Sequence, residues 1–345
     1  MTNLSSKGRF ERDLEEILHR SSSDLEDIVQ SRVLVTGGSG FVGRWLVSSF
    51  AKFAVNRRLT GHIVSTSRTC PDWQKPLLET GALHHVPWDV NDALPQIGQF
   101  GYVFHAAVPA SAKINSENPT VMRSTIDSGI ERILEYFAES QSRIVNLSSG
   151  AVYGIQPSEL AAFSEEWSEN PNKKLPDSEY HLGKARAERR LNEGTIAAKI
   201  VHARLFAFLA PFLPLDTHFA AGNFVGAAIK GEKIRINGDS RTVRTYMYGV
   251  DLVGWMTRIA RFGTHQRAYN VGSDEQTSVG ELASAIASRS PHKLTVELGR
   301  TASSEGSIHR YVPDVRRCRE ELGLEIDIPL SEAISRTLEW GSESN

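Results

Sequence analysis

Cysteine is almost absent. The two present in 345 residues, Cys70 and Cys318, show no C-x-x-C or Cys/His ligand spacing, which excludes a disulfide framework and a zinc site, so no metal is expected. A surplus of positive charge is lacking too. Lys and Arg number 39 against 41 Asp and Glu, for a formal charge of -2, so composition gives no support for binding nucleic acid or an anionic membrane. No uncharged apolar run reaches the roughly 18 residues that suggest a membrane span. The most apolar stretch, 200–215, is broken by His202 and Arg204, and the N-terminus lacks the apolar core of a signal peptide. What is left is a chain with 40% hydrophobic residues, enough for one large α/β domain or a domain with a lobe. A cytoplasmic protein with a small-molecule partner is the expectation.

Residues 1–30 form an N-terminal helical extension with two patterns, Phe10/Leu14/Ile17/Leu18 and Leu25/Ile28/Val29. Between them lies Ser21-Ser22-Ser23-Asp24, in which a serine is placed to cap the second helix. Packing on the outside of the fold is the expected role, with an oligomer contact or a lid as the alternative. Strand patterns at 32–36, 62–66, 83–86, 102–105, 143–147 and 199–206 then alternate with helical ones, which predicts a parallel sheet covered on both faces. Beyond Phe206 the pattern is irregular: helices near 224–230, 251–261 and 279–288, and a short strand at 233–237. The acidic residues Glu165, Glu166 and Glu169 read as a solvated loop. His84 and His85 face opposite sides of a strand and cannot form one site.

The stretch RVLVTGGSGFVGRWL, 32–46, puts Gly37, Gly40 and Gly43 at a strand-to-helix turn. That spacing allows a tight turn, close approach to a pyrophosphate and close helix-to-strand packing, with the free N–H groups of Phe41, Val42 and their neighbours at a helix N-terminus. A dinucleotide fits it. Further on, SEYHLGKARAERRL, 178–191, sets Tyr180 and Lys184 one helical turn apart on one face. A phenol of ordinary pKa near 10 is a poor base, and an adjacent ammonium favours its phenolate. Upstream, RIVNLSSGAVYG, 143–154, ends a buried strand in two serines. Ser149 there lies at the carboxyl edge, where open α/β sheets place their ligands, and can polarise a substrate oxygen, while Ser148 reads as a residue that satisfies turn backbone.

With these segments in this order, the chain resembles the extended short-chain dehydrogenase/reductases that act on nucleotide sugars, the NAD-dependent epimerase/dehydratase family. TGGSGFVG resembles its cofactor loop, HAAVPAS at 105–111 its fourth-strand loop with Ala106 and Ala107, SSGAVYG its serine segment and YHLGK its catalytic motif. INGDSRTVRTYMYGVDL, 236–252, and AYNVGS, 268–273, resemble segments of its substrate lobe. The resemblance implies a Rossmann-like α/β doubly wound parallel sheet at 31–206, carrying the catalytic helix. It also implies a smaller C-terminal substrate-binding lobe at 207–345, some segments of which return to the sheet. It implies that Tyr180 exchanges a proton with a sugar hydroxyl, that Ser149 holds the same oxygen, and that Lys184 also grips the nicotinamide ribose. Arg244, seven residues before Asp251, would meet the nucleotide diphosphate, and Asp89, followed by Val90, the adenine. A turn-forming role is the alternative for Asp89.

Departures narrow the reading. The dehydratase branch follows its catalytic hydroxyl with an Asp-Glu pair, and the decarboxylase branch places a glutamate two residues after its threonine; here Gly150 and Ala151 stand instead. Epimerases and 4-keto reductases remain. Ala207 and Ala210 occupy positions where the family commonly has an asparagine and a glycine, which weakens the expected grip on the diphosphate and brings in Asn223 and Arg310 as candidates. HIVSTSRT, 62–69, ends the second strand without an acid, and Ser67 with Arg68 slightly favours NADP over NAD. The expected function is hydride transfer at a ring carbon, C4, of a nucleoside diphosphate sugar. The alternatives are reduction of a carbonyl that is not nucleotide-bound, and a non-catalytic dinucleotide-binding sensor or scaffold. By fold analogy a homodimer is expected.

Overall fold

The structure, a computed structural model, describes residues 8–108, 112–176, 178–194, 196–215, 219–298 and 308–343. Six runs, with β-branched residues prevailing in the first two, form β1 (Val33–Thr36), β2 (Ile63–Ser67), β3 (Leu83–Pro87), β4 (Tyr102–His105), β5 (Arg143–Ser149) and β6 (Lys199–Leu205). Every residue of β1, β2 and β4 is buried, as a parallel sheet covered on both faces requires. The order is β3-β2-β1-β4-β5-β6 followed by the strand Ala268–Val271, all seven parallel. That last strand brings a segment beyond Phe206 back to the sheet.

Alternation along the strands divides the core. Val33 and Val35 point to one face with Trp45, Phe50 and Trp255, whereas Leu34 points to the other with Val103, Ile126 and Ile144. The helices Phe41–Arg57 and Gly249–Phe262 cover the first face, and Pro119–Tyr136 and Glu179–Glu193 the second. The chain runs outward from β1 to β3, then crosses back to place β4 on the other side of β1. Connections after β1 and β4 therefore diverge, opening a crevice at the carboxyl ends of these strands.

The N-terminal extension forms the helices Arg9–Arg20 and Ser22–Gln30, which bury Leu14, Ile17, Leu25, Ile28 and Val29 against the first face. Ser21 precedes the second helix but its side chain makes no capping bond, so the expected serine cap is not formed. Polar anchors hold the extension instead. Tyr248 O–H donates to buried Asp13 at 2.5 Å, and Arg261 pairs with Asp24 at 2.6 Å. Beyond β6, Val243–Thr245 pairs antiparallel with Gln276–Ser278, and Ile234–Ile236 pairs parallel with Val296–Leu298.

Candidate active site

The glycine turn is closed by backbone on two sides. Gly37 has φ +66°, and a Cβ there would lie 2.5 Å from the Ala106 carbonyl oxygen and 2.8 Å from Ala107 Cα. A Cβ on Gly43 would run into the Gly37 carbonyl oxygen and come within 2.8 Å of Gly38 Cα. The first turn of the helix thus packs directly on the loop, and Ala106 donates its N–H to Thr36 O at 3.1 Å. Gly40 is the residue before the helix, and half-buried Phe41 and Val42 open it, so the leading amides face the crevice without intrahelical partners. This cradle fits a dinucleotide pyrophosphate. Pro109, Ala110 and Ser111 of the fourth-strand loop lie outside the described residues.

At the far end of the crevice, Ser67 ends β2. Its hydroxyl donates to Thr69 O at 2.8 Å and lies 3.0 Å from His85 Nε2, which ties His85 to the cofactor end of the site, a link that strand alternation alone does not show. Arg68 is exposed, and its charge helps to hold the Asp89 carboxyl below the usual range, after the larger effect of the Asn91 N–H. Asp89 Oδ1 accepts from Asn91 N and Nδ2 at 3.0 and 2.8 Å, the turn-forming arrangement. Val90 is half-buried beside it and packs toward Gly129.

Ser149 is the last residue of β5, and its Oγ accepts the Ala151 N–H at 3.1 Å. Tyr180 lies in the first turn of Glu179–Glu193, its N–H bonded to Asn115 Oδ1 at 2.9 Å. Burial raises the Tyr180 phenol above its ordinary pKa, and the Ser149 hydroxyl pulls it back down. Lys184 Nζ lies 6.0 Å from the Tyr180 ring centroid and donates to Leu147 O at 2.7 Å. Burial lowers its pKa to about 8, against the charge of Glu188 one turn further on. Burial is the larger influence at the Tyr180 ring, while the Lys184 ammonium is bonded to the strand carbonyl.

Two residues that motif spacing did not single out complete this cluster. Tyr311 faces Ser149 and Tyr180, and burial raises its phenol, with the neighbouring Tyr180 adding to the rise and Ser149 opposing it. Its ring packs on Phe206 at 4.7 Å, and a Cβ on Gly150 would run into its hydroxyl and lie 2.7 Å from Phe206 Cζ. The side chain of an acid after Ser149 therefore has no room. Arg244 lies 5.8 Å over the Tyr311 ring, and Arg310 is bridged through its backbone to Val243. Among the described residues neither arginine has a carboxylate within 4.0 Å, and burial lowers Arg244 below its ordinary pKa. Arg310 donates to Gln276, while Asn223 stands exposed on Ala220–Lys230, away from both arginines in the chain. Asp251 is buried at the start of Gly249–Phe262, where it accepts the Ile328 N–H at 3.0 Å.

Behind the cluster lies a buried ion pair. Glu188 takes Arg204 Nη2 at 2.7 Å and the Ser148 hydroxyl at 2.5 Å, so Ser148 serves the helix rather than a turn. Glu165, expected in a solvated loop, is buried and accepts the Asn270 N–H at 2.8 Å, whereas Glu166 and Glu169 are exposed. The difference arises because Asn270 lies in the strand added beside β6 and needs an acceptor there.

A model of the NAD dependent epimerase/dehydratase family matches residues 33–272. The chain belongs to this family. It is accordingly an enzyme of the extended short-chain dehydrogenase/reductase type. Among curated relatives it is 24% identical over 323 residues to UDP-glucuronic acid decarboxylase 1 of Xenopus tropicalis, covering 90% of this chain and 72% of that one. Among solved structures it is similar to the epimerase Mth375 of Methanothermobacter thermautotrophicus, with TM-score 0.79, 22% identity and coverage of 95% and 96%. It is also similar to the UDP-glucose 4-epimerase of Thermus thermophilus in complex with NAD, with TM-score 0.72, 23% identity and coverage of 90% and 98%. Those structural likenesses establish the family's Rossmann-like fold. No helix among the described residues is long and apolar enough to cross a membrane.

Proposed function

We propose that this family member transfers hydride at a ring carbon, C4, of a nucleoside diphosphate sugar, as a 4-keto reductase or an epimerase. The observation that carries the reading is the cluster at the carboxyl edge of β5. Ser149 and Tyr180 stand beside Lys184, and Tyr311 joins them to the guanidinium of Arg244 on the other side. Two cations without acid partners among the described residues suit a diphosphate. Held by the glycine turn, a bound dinucleotide would supply the chemistry of hydride transfer. Ser149 holds the sugar oxygen, and Tyr180 gives it a proton when a ketone is reduced, or takes the hydroxyl proton when an alcohol is oxidised.

The acid-free end of β2, with Arg68 exposed next to Ser67, supports NADP, while several similar solved structures, the Thermus thermophilus UDP-glucose 4-epimerase among them, are in complex with NAD. Gly150 and Ala151 in place of acids argue against dehydration and decarboxylation, even though curated relatives are named decarboxylases. A homodimer in the cytoplasm completes the reading. The test is binding of NAD and NADPH with a panel of UDP- and other nucleoside diphosphate sugars, followed by mass analysis of the products. Tyr180→Phe should bind dinucleotide as the parent does and lose turnover by about 10²–10⁴-fold. Undiminished turnover in that variant would end the mechanism, and an isomer of equal mass without net dinucleotide consumption would select epimerase.

A further inference from the structure

Phe212 is a non-glycine residue with φ +67°, the left-handed region in which a Cβ is strained. Such a conformation persists only where its surroundings over-determine it. Phe10 meets the Phe212 ring edge-on at 4.8 Å and 90°, Trp340 meets it at 5.0 Å and 68°, and the Arg44 guanidinium lies 3.3 Å from its centroid. Trp45 Nε1 donates to Pro211 O at 3.2 Å, and Phe10 is also edge-on to Trp45 at 5.0 Å. Phe10 opens the helix Arg9–Arg20, Trp340 lies near the end of Leu330–Glu343, and Arg44 and Trp45 belong to the helix behind the glycine turn. Both ends of the chain and the cofactor turn therefore converge on one strained side chain.

The segment that Phe212 ends borders the site along its length. It starts at Phe206, which packs on Tyr311 and against Gly150. It passes Phe208, 6.0 Å from Phe41 in the first turn of the cofactor helix. Leu209 N–H to Met247 O at 3.1 Å and Met247 N–H to Ala207 O at 3.0 Å pair it with the run that carries Arg244. With alanine at 207 and 210 the segment offers backbone and ring faces rather than polar side chains, so its path decides what it can hold.

We infer that the N-terminal helix is a positioning element of the active site: Phe10 keeps Phe212 left-handed and so fixes the course of 206–213, the wall between Tyr311 and the glycine turn along which a sugar nucleotide lies. The last clause rests on the proposed function; the positioning itself does not. Full-length Phe10→Ala, Phe10→Leu and Phe212→Gly variants test both. Hydrogen exchange at the Phe206, Leu209 and Leu213 amides should quicken in Phe10→Ala and Phe212→Gly while β1 to β3 stay as protected as in the parent. Titration with UDP-glucose should weaken by roughly two- to tenfold in Phe10→Ala, the worth of one edge-to-face aromatic pair, with dinucleotide titration unmoved and only a part of the loss restored in Phe10→Leu, which returns bulk without the ring. Unchanged exchange over 206–213 overturns the inference whatever the chain binds. Faster exchange with undiminished UDP-glucose binding, or equal weakening of UDP-glucose and dinucleotide, overturns its part in the site. If exchange quickens as expected and the parent binds no nucleoside diphosphate sugar, the proposed function falls and the positioning role stands.

Discussion

Replacing Glu188 with glutamine would keep the shape of its side chain and strip its charge, leaving the Arg204 guanidinium buried without a counter-ion. Arg204 Nε reaches Glu188 Oε1 and Oε2 at 3.0 and 3.2 Å and Nη2 reaches Oε2 at 2.7 Å, with side chains only 7% and 9% exposed. Burial alone would raise this carboxyl, yet Arg204 foremost, with help from Ser148, brings it from the ordinary 4.5 to about 2. Breaking a buried pair by removing one partner costs about 3–5 kcal/mol. The folded pKa is depressed, so the contribution is fully present above pH 4.5 and is lost as pH falls toward 2. Urea denaturation of parent and Glu188→Gln should therefore differ by about 3 kcal/mol at about pH 7, and by less at about pH 3.5. Glu188 also raises the pKa of Lys184, so the variant's pH-rate limb for loss of that proton should move below about 8. A glutamine variant within about 1 kcal/mol of the parent at about pH 7, the net worth of one ordinary hydrogen bond, would refute the account of this ion pair.

Two other substitutions probe the cofactor turn and a buried acid. Gly43→Ala drives a Cβ into the Gly37 carbonyl oxygen and the Gly38 backbone, neither of which can give way. It should cost about 1–3 kcal/mol of stability and weaken NAD and NADPH titrations, and parental affinity in this variant would disprove the close packing. Burial pushes Asp251 up to about 7, with Asp327 adding to the rise. A folded pKa above the unfolded value means its contribution is full below pH 3.8 and is lost as pH rises through 7. Asp251→Asn should thus melt above the parent at about pH 8 and match it at low pH, and a parallel pH dependence of the two melting curves would contradict this.

The glycine turn and the Tyr180/Lys184 pair were legible because their geometry is local. Three glycines at fixed spacing imply a tight turn, and four residues of helix put two side chains on one face, whatever the rest of the chain does. Strand positions were legible for the same reason: the expected 102–105 and 199–206 appear as Tyr102–His105 and Lys199–Leu205. Departures came where a local pattern met a distant partner. Glu165 reads as solvated beside its acidic neighbours, yet it is buried by Asn270, 105 positions away. The serine run after the first helix looks like a cap, yet the extension is secured by Asp13 and Tyr248 across 235 positions.

Tyr311, Phe206 and Gly150 carry no spacing that links them, and only the return of the C-terminal chain beside β5 brings that phenol to Ser149. The same holds for Phe10 and Phe212, whose contact needs the first helix and the substrate-side segment on one face of the sheet. The sequence by itself determined the crossover pattern, the glycine turn and the placing of Tyr180 and Lys184 on one helix face, since periodicity and glycine conformation are properties of short stretches of backbone. Tertiary structure alone decided the second phenol, the buried acids and the support of the substrate wall, because burial and charge depend on which distant residues packing brings together.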